Sequence, residues 1–137
     1  MLRDRNALLL VVAAALVDGD GRVLLQRRPP GKPMAGLWEF PGGKVEADEV
    51  PEAALARELA EELAIELDVS GLKPATFASE RLGERHLLLL LYTLRDWQGV
   101  PEPLHATELR WVFPAEMYAL EMPPADLPLI PLLEALL

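Results

Sequence analysis

Glu58, Glu61 and Glu62 stand at i, i+3 and i+4, the spacing that puts three side chains on one face of an α-helix. Like charges so placed weaken an isolated helix by roughly a few tenths of a kcal/mol per pair. A hard divalent cation such as Mg²⁺, or Mn²⁺ in its place, offsets that repulsion, because such ions take oxygen ligands from carboxylates, waters and substrate phosphates. The plainer alternative is a solvated acidic face with Arg57 as partial counter-charge. Leu55, Leu59 and Leu63 fall on another stripe at i, i+4 and i+8, so the helix can bury its leucines while holding its carboxylates out toward a ligand.

The elements that must carry this helix follow from turn chemistry. Residues 8–17 and 22–28 flank Asp18-Gly19-Asp20-Gly21, which tolerates the positive φ of a tight turn, and together they predict a β-hairpin. Pro29-Pro30-Gly31-Lys32-Pro33 breaks regular structure, and Leu37-Trp38-Glu39-Phe40 then leads into Pro41-Gly42-Gly43, so the loop feeds the glutamate helix. Residues 75–81 and 86–94 predict two strands around Leu82-Gly83-Glu84-Arg85, and the leucine run 87–91 marks the second as central. Residues 109–112 predict a short strand, Pro114 opens a helical turn, and residues 129–137 predict a closing helix. This irregular alternation implies an α+β chain, with a mixed sheet between helical layers.

From Gly43, five residues lead to Glu49, seven more to Arg57-Glu58-Leu59, one to Glu61-Glu62 and one to Ala64-Ile65. This resembles the Nudix box, GX5EX7REUXEEXGU with U aliphatic, at every defined position except Ala64, where the box has glycine. A match at many fixed spacings is a specific signal. Arg27-Arg28 and the run WEFPGGK are further similar to the MutT branch of that family. The resemblance implies a Nudix-type α/β/α sandwich that hydrolyses a nucleoside triphosphate to the monophosphate and pyrophosphate, with 8-oxo-dGTP a candidate substrate. A CTP/dCTP-type pyrophosphohydrolase and a non-catalytic nucleotide-binding module are the alternatives. The resemblance further implies Mg²⁺ or Mn²⁺ on Glu58, Glu61 and Glu62, close to Gly42 and Gly43, with Glu58 or Glu61 accepting the water's proton. Glu49 and Arg57 are expected to pair and brace the loop against the helix, while Arg28, Glu39, Arg85 and Asp126 are expected at the substrate.

Three departures from the family pattern matter locally. At Ala64 either the left-handed helix end of the box persists, at about 1 kcal/mol for an alanine, or more simply the helix runs on; Val50 stands where a Ser or Thr cap is common. His105 occupies a loop position where relatives carry a glutamate; it can act there as a ligand or base, or Glu102 or Glu108 can take its place through a loop shift. Pro123-Pro124-Ala125-Asp126 resembles the element with which the branch reads the base. An ionised Asp126 only accepts hydrogen bonds, which favours cytosine N4, adenine N6 or guanine N1 and N2; the competing reading makes Asp126 the N-cap of the last helix. Leu82, Trp38 and Phe40 are apolar candidates for packing on the base.

The 137 residues, 51% of them apolar, fit one domain spanning 1–137 with a substantial core. A net charge of -9 argues against polymeric nucleic acid as a partner. The absence of cysteine excludes disulfides, thiolate nucleophiles and cysteine-type zinc sites. The apolar run 7–17 is too short to span a bilayer, and although Arg3 and Arg5 before it resemble a signal peptide's basic start, the turn that follows favours a first strand. The expectation is a cytoplasmic monomer or homodimer, off the membrane.

Overall fold

A computed structural model describes residues 8–137; Arg3, Arg5 and Ala7, on which the signal-peptide alternative rests, lie outside the described residues. Strand β1 (Leu8–Leu16) reads as an unbroken apolar run because both its faces are covered. Its Val12, Ala14 and Leu16 join the core beneath helix α1 (Pro51–Leu63), whereas Ala13 and Ala15 join the core beneath helix α2 (Leu129–Leu136). Alternating side chains of one strand thus serve two helical layers, giving the α/β/α order.

The expected mixed sheet is present, and three further strands form a sheet of their own. β1 lies between β4 (Gly42–Lys44) and β6 (Arg85–Leu94), with β5 (Lys73–Leu82) beyond; β1 and β6 run parallel and the other pairs antiparallel. β6 is central, as the leucine run predicts. β2 (Val23–Arg27) lies between β3 (Trp38–Glu39) and β7 (Leu109–Val112) in a second, antiparallel sheet. The predicted hairpin is therefore a hairpin only at its tip. Asp18 Oδ1 accepts from the backbone N–H of Asp20 (2.9 Å) and of Arg22 (2.8 Å), and Val17 bridges Val23. Beyond that point both edges of β1 are taken by β4 and β6, so β2 finds other partners. The chain crosses between the sheets again at Phe40-Pro41, leaving Glu39 in one and Gly42 in the other.

α1 begins with Pro51, favourable at a first helical position, and Val50 supplies no side-chain cap. It does not run on past the box. Ala64 takes the left-handed conformation (φ 59°, ψ 33°) and donates its N–H to Ala60 O at 3.1 Å. The reversal buries Ile65 completely and sets Glu66 in a β-bridge with Gln98, gains that offset the roughly 1–2 kcal/mol cost of a left-handed L-residue. No helix among the described residues is long and apolar enough to cross a membrane.

Ala64→Gly removes the left-handed penalty without deleting a contact, and should raise the unfolding free energy by about 1 kcal/mol and Tm by a few degrees. Thermal denaturation checks it: an unchanged or lower Tm would show that Ala64 carries no strain.

Candidate active site

Arg57 is the hub of the glutamate helix. Its Nε and Nη2 donate to Glu49 Oε2 (2.7 Å) and Oε1 (3.0 Å), the expected pair between loop and helix. Its Nη1 donates to Glu58 Oε1 (2.8 Å) and Glu61 Oε1 (3.2 Å), and Nη2 also reaches the Lys44 carbonyl at the end of β4 (3.2 Å). A planar guanidinium suits such forked bonding. The bonds from Arg57, and next the Glu46 N–H, hold the Glu49 carboxyl down to about 2. The glycine pair admits two neighbours. A side chain at Gly43 would overlap the Glu58 carboxylate, and one at Gly42 would overlap the β1 backbone at Val12 and Ala13. Both glycines line the second of the clefts described below, with the Gly42 backbone packed closely against β1.

Glu62 also departs from expectation, because it does not share the open face. Glu61 is 50% exposed, but Glu62 is buried, and its Oε1 accepts a 2.6 Å hydrogen bond from Gln26 Nε2. Burial first, and then the neighbouring Glu58, push the Glu62 carboxyl far above the usual carboxylate range, with Gln26 opposing. On β2, Leu24 packs in the core beneath α1, and Gln26, two residues on, points the same way. Its cross-strand partner is Glu39, which burial also raises against the opposing pull of Arg28 and then of Gln26. Arg28 Nη1 donates to Glu39 Oε1 and its Nε to the Pro33 carbonyl, both at 2.7 Å. Gln26 escaped sequence reasoning; the available signal was one uncharged polar residue at an inward position of the run VLLQRR.

Two clefts meet at Arg28 and Glu39. The first, of 480 Å³, is lined by Gln26, Arg28, Lys32, Glu39, Glu62 and His105 among others. The second, of 340 Å³, includes Phe40, Gly42, Leu82, Leu89 and Asp126. Both are of ligand size. His105 reaches the first cleft because its loop is pinned to the end of α1: the Glu102 N–H donates to Leu63 O (2.9 Å) and the Leu104 N–H to Glu62 O (3.1 Å). Glu102 and Glu108 do not line that cleft, and Glu108 is instead paired with Arg27 at 3.0 Å. Of the three, His105 is the one at the first cleft.

Asp126 is not the cap of the last helix. Pro128 holds that position without a side-chain bond, while the Asp126 carboxylate is buried, lines the second cleft and accepts a long 3.4 Å bond from the Phe40 N–H. Burial, and next repulsion from Glu39, raise it to about 7 against the pull of Phe40 N–H and Arg28. The ionised form only accepts hydrogen bonds, and a carboxyl raised in this way can also donate when protonated. Arg85 is not brought in. It is exposed at the β5–β6 turn, on the face of Leu87 and Leu89 by strand alternation, but it does not line the cleft. Trp38 belongs to the core, with the guanidinium carbons of Arg27 and Arg110 5.7 and 5.9 Å from its ring centre, so Phe40 and Leu82 are the apolar candidates that reach the cleft.

The donor set fits a hard divalent cation. Glu58, Glu61 and Glu62 offer only oxygen, and Gln26 Oε1 beside them is a buried acceptor without a partner among the described residues. No group of three metal-ligating side chains converges among the described residues: Glu58 and Glu61 are drawn to Arg57, and Glu62 to Gln26. A cation drawing on Glu58 and Glu61 competes with the Arg57 guanidinium.

The site thus joins an acidic helix braced by arginine to two clefts that share an arginine–glutamate pair. The sequence model of the NUDIX domain matches residues 7–133, and the chain belongs to the Nudix family, as a MutT-like Nudix hydrolase; enzymes of this family use divalent metal ions. It is 41% identical over 122 residues to the CTP pyrophosphohydrolase of Escherichia coli K12, covering 89% of each chain. It is 43% identical over 124 residues to the putative 8-oxo-dGTP diphosphatase 2 of Mycobacterium tuberculosis H37Rv, covering 85% of this chain and 82% of that one. The solution structure of the E. coli ORF135 protein matches it with a TM-score of 0.84 at 37% identity, over 94% of this chain and 90% of that one.

The raised Asp126 carboxyl has a consequence for stability. Its folded value of about 7 lies above the ordinary 3.8, so the native state binds the extra proton between these values, and the group's contribution is lost as pH rises through 7. Asp126→Asn, which faces the same Glu39, Arg28 and Phe40 N–H, should therefore gain on wild type as pH rises from about 4 to about 8. Urea midpoints measured across that range test it; a constant difference would return Asp126 to an ordinary carboxylate.

Proposed function

We propose that this protein is a Mg²⁺-dependent nucleoside triphosphate pyrophosphohydrolase, releasing monophosphate and pyrophosphate, with 8-oxo-dGTP as its foremost substrate. One observation supports this reading above the others: Arg28 and Glu39 line both clefts, with Glu62 in one and Asp126 in the other. A nucleotide with its base beside Asp126 runs its phosphates past Arg28 toward the carboxylates of α1. A divalent ion there neutralises phosphoryl charge and acidifies water. The chain's own residues do the rest. Arg28 offers a fork to phosphate oxygens, Glu58 or Glu61 accepts the water's proton, and Arg57, bonded to both, orients them.

Asp126 gives the base selection. A carboxyl poised between its two protonation states pairs with an edge that presents one donor beside one acceptor. Oxidised guanine presents such an edge at N7–H and O6. Cytosine presents another at its N4 amino group and N3, and the 41% identity to a CTP pyrophosphohydrolase favours CTP and dCTP as the second reading.

Purified protein with Mg²⁺ should release pyrophosphate from a panel of CTP, dCTP, dGTP and 8-oxo-dGTP, with the highest kcat/KM on the last. A maximum on the cytidine nucleotides selects the second reading, and binding without any release makes the protein a non-catalytic module. Glu58→Gln and Glu61→Gln should each lower kcat by several orders of magnitude with a nearly unchanged Tm, because each removes charge at the metal; wild-type turnover in both would move the metal centre elsewhere.

A further inference from the structure

Gln26 has no part in the chemistry derived above, yet its placement is specific. It is 4% exposed, and its Nε2 donates to Glu62 Oε1 at 2.6 Å. It stands opposite Glu39 across β2 and β3 and favours the ionised form of that carboxyl. Its Oε1 is a buried side-chain oxygen with no hydrogen-bond partner among the described residues. A residue chosen for packing alone would not leave a buried acceptor orphaned, since an apolar side chain fills the same space without that cost. The orphan belongs to a side chain in the wall of the first cleft, beside Glu62.

We propose that Gln26 is a positioning residue of the metal centre: its amide nitrogen holds the Glu62 carboxylate oriented for a divalent cation, and its free carbonyl accepts a hydrogen bond from a donor that arrives with that cation. The inference rests on reading α1 as the metal-binding helix. Carboxylates that ligate metals are held by hydrogen bonds from groups behind them, and those bonds fix orientation and affinity. A neutral amide does this without adding charge, whereas Glu58 and Glu61 are bonded to the Arg57 guanidinium. The same residue touches the nucleotide side, because Glu39 is the partner of Arg28. Gln26 therefore couples the metal carboxylate to the pair that both clefts share.

The test uses Mn²⁺ alone, with the free ion followed by its EPR spectrum, on protein without nucleotide. Gln26→Met should weaken Mn²⁺ binding by about ten- to a hundred-fold, lower kcat at limiting Mg²⁺, and recover kcat at saturating Mg²⁺. Gln26→Thr, too small to strain the strand, should show the same metal effect and so separates it from a packing defect. In a Glu62→Gln background, Gln26→Met should add less than about a two-fold further loss, since both changes act on one interaction. Equal Mn²⁺ affinity in wild type and the folded variants, or a kcat loss that saturating Mg²⁺ leaves in place, overturns the positioning role. Wild type that neither binds Mn²⁺ nor releases pyrophosphate overturns the reading of α1 itself, which is a distinguishable failure.

Discussion

The guanidinium of Arg57 joins three pieces of chain that would otherwise be independent: the loop carrying Glu49, the end of β4 at Lys44, and the glutamates of α1. Single exposed ion pairs contribute little. This one is forked, partly shielded and shared among three carboxylates, so each bond limits the freedom of the others. The glycines then become necessary. With Arg57 drawing α1 toward β4, the Glu58 carboxylate fills the space that a side chain at Gly43 would need, and the β1 backbone fills that of Gly42.

How much of this was legible depends on whether the controlling contacts are local in sequence. The glutamate helix could be read because a 3.6-residue period and fixed spacings act within a few turns, and the leucine stripe at Leu55, Leu59 and Leu63 is fully buried as that period requires. The helix end could not. Ala64 turns left-handed because Ile65 finds the core and Glu66 finds Gln98, a residue more than thirty positions away. The turn at Asp18 was written in its own residues, but the sheet each flanking strand joins was decided by β4 and β6 competing for the edges of β1.

The site divides along the same line. Glu49 and Arg57 pair as the family resemblance implies, and Arg28 lines both clefts while Arg27 lines only the first and bonds to Glu108 and Gly36. Gln26, by contrast, looks like an ordinary strand residue until α1 places Glu62 against it. The protonation of Asp126 is likewise tertiary, since it comes from burial and from Glu39, eighty-seven positions earlier (126 minus 39). Arg85 shows the converse. It stands opposite Leu82, which lines the second cleft, yet is not itself among the lining residues.

A chain of net charge -9 must still receive a polyanion, and the state of its buried acids shows how. Glu39, Glu62 and Asp126 are all raised, and in each the first cause is burial. Burial works against negative charge on each of the three, and Arg28 or Gln26 pulls the other way. A cation on Glu62 favours its ionised form, so metal binding and proton release are linked. On the proposed function, phosphate oxygens reaching Arg28 would compete with Glu39 for the same guanidinium, and the Gln26 amide, facing both Glu39 and Glu62, would remain to stabilise whichever carboxylate loses its partner. An uncharged side chain between two acids can serve either one without adding a charge of its own to the site.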